Sequence, residues 1–146
     1  MARSTTLARL EPLVGTWRSR GRTMPGPDDP GTEIDGTDAY EWFGDGFLMH
    51  RVDVRMGDAK IEVIELIGDH DPASGGYPMY AFDSQGAVGR MRATVTDDGV
   101  WTFADDSTRA TLTIKADRSA MAARWQRRDA GGPWRHWMDM TFHKVA

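Results

Sequence analysis

From residue 16 onward, apolar and polar side chains alternate with a period of two. Clusters of glycine, proline and aspartate break that alternation at short intervals. This pattern constrains the fold more than any other feature. A period of two sends successive side chains to opposite faces of an extended chain and cannot be accommodated on one face of a helix. The turn signals are "MPGPDDPG", "GDG" at 44–46, "GD" at 57–58, "DHDPASGG", "DSQG", "DDG" at 97–99, "ADD", "ADRS" and "DAGG". They cut the chain into ten segments: 16–23, 32–43, 47–56, 59–68, 76–83, 87–96, 100–104, 107–116, 119–128 and 133–145. Ten short strands in hairpin order form an antiparallel meander. A sheet that long curls, and closing it removes its exposed edges.

The expected fold class is therefore all-β: a single antiparallel up-and-down β-barrel of about ten strands, filling residues 1–146 as one domain. A short N-terminal helix closes one end. Residues 4–14 supply it, with Ser4, Thr5 or Thr6 as N-cap and Leu7, Leu10 and Val14 on one face. Pro12 limits it to one or two turns.

Alternation also assigns faces, because a slip of one residue inverts them. On the first strand Arg18, Arg20 and Arg22 point out, so Trp17, Ser19 and Gly21 point in. On the third, Leu48, His50, Val52, Val54 and Met56 share the inner face. On the last, Trp134, His136, Met138, Met140 and Phe142 share it, with Trp137 an outward exception. Met91 on the sixth strand and Met121, Ala123 and Trp125 on the ninth also face in. The fourth strand, "IEVIELIG", is apolar on both faces, so the direction of Glu65 stays open. The same holds for Tyr40 and Trp42 on the second strand and for Tyr80 and Phe82 on the fifth.

Composition narrows the function. There are no cysteines, which excludes disulfides, thiolate metal sites and cysteine nucleophiles. The net charge of −4, with both signs interspersed, argues against a nucleic-acid partner. No apolar run reaches membrane-spanning length, and "MARSTTLARLEPLVG" lacks the apolar core of a signal peptide. No membrane association is expected, and the expected location is cytoplasmic. Phosphate-loop, dinucleotide, nucleophile-elbow and zincin motifs are all missing.

The opening "LVGTW" of the first strand, after a short helix, resembles the Gly-x-Trp signature of the calycin superfamily of lipocalin-like barrels. The resemblance implies a tryptophan packed across the closed end under a basic residue of the last strand, a role that falls to Lys144. "EWFGDGFL" (41–48), "ELIGDHDP" (65–72), "YAFDSQG" (80–86) and "GPWRHWMDMTFHK" (132–144) resemble an uncharacterised bacterial lipocalin-like family. A more distant likeness is to nitrobindin-like heme-binding barrels, in which a histidine near the C-terminus ligates heme iron. That likeness implies heme as a possible cofactor, held by His143 by position or His136 by strand parity.

Candidate site residues follow from polar interruptions of the inner face. His50 and His136 each break an apolar stripe. Each is either a contact to a ligand, proton or iron, or a buried histidine bonded to a backbone carbonyl, Glu65 or Tyr80. Glu65, if inward, is an interior carboxylate suited to acid–base work. With Tyr80, Met91, Trp125 and Met138 they form the expected ligand-binding set. Ser19, Gly21 and Ala123 leave room beside them. The leading expectation is a barrel that holds a small apolar or aromatic molecule. The alternatives are a heme-binding barrel and a cyclase or isomerase using a His/Glu pair, so enzyme or binder stays open. His70, between Asp69 and Asp71, fits turn chemistry rather than a metal, and no metal site is expected. Trp137, read as outward, offers a possible homodimer contact.

Overall fold

Gly15 makes the bend by which the chain enters the barrel. The computed structural model describes residues 3–146. Ser4 caps a single helical turn, α1 (Thr5–Ala8), by accepting the Leu7 amide at 3.2 Å. A 3₁₀ turn at Glu11–Leu13, with Pro12 in its first positions, follows. Gly15 then turns with φ 141°, and a Cβ there would meet Lys144 Cε and the Ala146 carbonyl oxygen at 3.0 Å.

Ten strands follow: β1 (Gly15–Thr23), β2 (Glu33–Phe43), β3 (Phe47–Met56), β4 (Ala59–Gly68), β5 (Tyr77–Asp83), β6 (Val88–Val95), β7 (Trp101–Ala104), β8 (Thr108–Ile114), β9 (Ala120–Arg127) and β10 (Arg135–Lys144). Each neighbours the next, and β1 pairs with β10, so the antiparallel barrel is closed and none of these strands is an edge. The expected fold class is the one observed. Among the described residues, no helix is long and apolar enough to cross a membrane.

The closed end is a built plug. Leu10, Leu13 and Trp17 are fully buried, and burying each stabilises the fold by about 1.5–3 kcal/mol. The Trp17 indole donates to the Leu13 carbonyl at 2.9 Å, and Lys144 Nζ lies 4.8 Å from the ring centroid. The Tyr77 hydroxyl donates to the Thr6 carbonyl at 2.5 Å, and the Trp42 indole donates to Glu11 Oε2 at 2.7 Å. Side chains from β1, β2 and β5 thereby hold the N-terminal segment against the barrel.

Register settles the faces that alternation left open. Ile61, Val63 and Glu65 of β4 face in, and Ile64 is exposed. Met79 and Ala81 of β5 face in, which sends Tyr80 and Phe82 out. On β10 the pairing with β9 shifts between His136 and Met138: His136 opposes Gln126, Met138 opposes Trp125, and Trp137 is the extra residue of a bulge. Met138, Met140 and Phe142 keep their inward direction, Trp137 joins them, and His136 lies outside.

Candidate functional site: a buried polar network in an apolar cavity

The barrel encloses a cavity of about 420 Å³ between the plug and the opposite end. Its wall is built from alternate residues of the strands, as a closed barrel requires. Met79, Met91, Met121, Met138 and Met140 contribute flexible, polarizable surface, and Trp125 and Trp137 meet edge to face at 6.3 Å. One sector of this wall, where β2, β3 and β4 run side by side, is polar.

Strand register assembles that sector. Tyr40 of β2 lies directly across from His50 of β3, and His50 directly across from Glu65 of β4. Asp38 sits two residues before Tyr40 on the same face, diagonal to His50. The Asp38 carboxylate accepts the Ser19 hydroxyl at 2.5 Å through Oδ1, and its Oδ2 lies 2.6 Å from His50 Nε2. His50 Nδ1 lies 3.1 Å from Glu65 Oε1. The Tyr40 ring stacks on the imidazole at 3.9 Å, tilted by 8°. Ser19, Asp38, Tyr40 and Glu65 are buried, and His50 is nearly so.

Two carboxylates govern the electrostatics. Burial is the largest influence on His50 and opposes a charged ring. The hydrogen bonds to Asp38 and then Glu65, with the charges of both, outweigh it and raise the His50 pKa from 6.5 to about 9. His50 is therefore an imidazolium at neutral pH, donating from both nitrogens. Burial first, then the Asp38 and Glu65 charges, push the Tyr40 phenol well above its usual 10 and keep it protonated.

This arrangement is not a serine-hydrolase triad. Ser19 is bonded to the carboxylate rather than to the imidazole, so His50 is not placed to take its proton, and it is fully buried. Among the described residues, no group of three His, Asp or Glu side chains is placed to hold a metal ion.

Of the residues expected to bind a ligand, His50, Glu65, Met91, Trp125 and Met138 line the cavity. Tyr80 does not: it faces outward beneath Arg90, whose guanidinium carbon is 4.8 Å from its ring centroid. His136 does not either, because the bulge inverts strand parity before it. Its Nε2 lies 2.7 Å from Asp139 Oδ1 on the outer face. His143 is exposed on the outer face, across from Arg18 and Ala120. Neither histidine expected to ligate heme iron can reach the cavity, and the inward His50 has both nitrogens engaged. The residues present do not fit that group.

Ser19 and Gly21 leave no space in the cavity. Ser19 is bonded to Asp38, and the inner side of Gly21 is filled by Met140, whose sulfur would lie 2.3 Å from an added Cβ. Trp134 lies outside, with the guanidinium carbons of Arg109 and Arg128 each 4.3 Å from its ring centroid. Trp137 lines the cavity, which removes the residue on which the homodimer expectation rested. Asp38 and Tyr40 are the participants that sequence reading did not assign. The polar outer stripe Glu33, Asp35, Thr37 and Glu41 was the signal that sends both inward.

The fold and site define a closed ten-stranded antiparallel barrel with an interior cavity and a buried ionic network. The chain belongs to the DUF1579 family, described as "Protein of unknown function (DUF1579)", whose pattern matches residues 4–144. Among solved structures it is similar to Rv2717c from M. tuberculosis, with a TM-score of 0.71, 17% identity and 99% of each chain covered. It is similar to the S-type phycobiliprotein lyase CPES from Guillardia theta, with a TM-score of 0.57, 12% identity, and 94% of this chain and 90% of that one covered. It is also similar to a de novo designed fluorescence-activating β-barrel, with a TM-score of 0.50, 17% identity, and 95% of this chain and 98% of that one covered. Identities this low carry the fold alone. Among curated proteins, none matches the chain.

Proposed function

We propose that this barrel binds a small apolar or aromatic molecule in its interior, with the Asp38–His50–Glu65 network meeting the ligand's polar end. One observation carries the reading: a cavity of about 420 Å³ whose apolar wall is interrupted by a buried ionic network. Small-molecule sites combine this size and apolar lining with a few convergent polar groups. Two fold neighbours, a designed fluorescence-activating barrel and a phycobiliprotein lyase, support the general class. Binding rather than turnover is favoured because His50 has no ring nitrogen left for a substrate proton. The cytoplasm, on the sequence reading, is where it acts.

The test is a titration with N-phenyl-1-naphthylamine, a neutral aromatic fluorophore that brightens in apolar surroundings. The expected result is saturable 1:1 enhancement, with energy transfer from Trp125 and Trp137. Ala81→Trp, which puts a large side chain into the cavity beside Glu65, abolishes it without unfolding the barrel. Enhancement that persists unchanged in Ala81→Trp would place the probe elsewhere and defeat the proposal.

A further inference from the structure

Among the described residues, Asp38, His50 and Glu65 are the only acidic or basic side chains lining the cavity; no lysine or arginine reaches it. Both ring nitrogens of His50 lie on carboxylate oxygens, at 2.6 Å from Asp38 Oδ2 and 3.1 Å from Glu65 Oε1. Each ring nitrogen is engaged by a carboxylate oxygen, so His50 has no N–H left to offer a ligand.

The remaining carboxylate oxygens differ. Asp38 Oδ1 is occupied by the Ser19 hydroxyl. Glu65 Oε2 receives no hydrogen bond from any described residue, and Glu65 lines the cavity. Open to the cavity, that oxygen is an acceptor available to a molecule held there. Its complement is a donor brought by the ligand.

Resting on the binding reading above, we propose that the ligand carries a hydrogen-bond donor at its polar end, in its best form a protonated amine. This head sits on Glu65 Oε2, and an aromatic or alkyl body lies against the methionine and tryptophan wall. A charge-assisted N–H···O bond in a secluded site is stronger than its neutral counterpart. A carboxylate head placed on Glu65 Oε2 sets acceptor against acceptor, so this position selects against fatty acids and aryl acids.

Four probes of one shape test this by calorimetry at pH 7: 2-(2-naphthyl)ethylamine, 2-(2-naphthyl)ethanol, 2-naphthylacetate and the headless 2-ethylnaphthalene. The amine is expected to bind tightest, the alcohol next, and the carboxylate at least about 30-fold more weakly than the amine. In Glu65→Gln the gap between amine and carboxylate shrinks to less than about threefold, while 2-ethylnaphthalene, which has no head group to meet residue 65, still binds. That control shows that the variant keeps its cavity. A carboxylate that binds as tightly as the amine, or an amine preference that survives Glu65→Gln, overturns the inference. Because 2-ethylnaphthalene still binds in those cases, the binding reading stands. If none of the four binds, the binding reading fails and this inference falls with it.

Discussion

At the scale of single residues, His50 is the group on which the site turns. Its pKa of about 9 in the folded chain means that the folded state holds the proton more tightly than the unfolded chain, where the value is 6.5. The resulting stabilisation, about 3 kcal/mol, is fully present below pH 6.5 and is lost as pH rises through 9. The groups facing His50 are Asp38 and Tyr40 from β2 and Glu65 from β4. The raised phenol of Tyr40 titrates above that window and does not obscure it. The melting temperature should therefore fall as pH rises from 6.5 through about 9, and in His50→Gln that slope should flatten. The variant should also be less stable at pH 7 by about 3–5 kcal/mol, because two buried carboxylates are left without their cation. A native slope retained in His50→Gln would assign the titration to another group.

At the scale of elements, strand order and boundaries were legible because they depend on turn residues and alternation, which are local. Alternation alone also sends His50, Met91, Trp125 and Met138 inward, the direction they have in the fold. The failures arose where register, a property of two strands, overrides alternation in one. The bulge at Trp137 turns His136 out and Trp137 in, and nothing in "RHWMDM" marks the extra residue. Glu65 and Tyr80 lie on strands with apolar residues on both faces, so only pairing decides their direction. Asp38 is inconspicuous in the sequence because an aspartate among aspartates and glutamates resembles solvent-facing surface. Close approach between elements is equally hidden from sequence. A Cβ on Gly21 would lie 2.2 Å from the Asp139 carbonyl oxygen, whereas one on Gly89 would meet nothing within 4 Å. Gly21→Ala should cost about 1–3 kcal/mol in denaturant unfolding, and Gly89→Ala should change stability by less than about 0.5 kcal/mol. Equal effects of the two substitutions would count against the packing described for the β1–β10 seam.

At the scale of the whole molecule, one end of the barrel is a packed plug and the interior is a cavity. Trp17 belongs to the first part: it is fully buried, bonded to Leu13 and covered by Lys144. Trp17→Ala should lower stability by about 3–5 kcal/mol, read as a shifted denaturation midpoint. In conditions where the variant stays folded, probe affinity should change little, because Trp17 does not line the cavity. The outer wall carries its own apolar row, Ile64, Phe82 and Val88, paired directly across β4, β5 and β6. It offers a competing place for an apolar probe, so the position of the bound molecule decides between interior and surface binding. Crystals of the full chain grown with N-phenyl-1-naphthylamine give that position. Density for the fluorophore is expected inside the barrel, against the tryptophan and methionine wall and within reach of Glu65. Density only on the outer face at Ile64, Phe82 and Val88, with the interior unchanged, would refute interior binding.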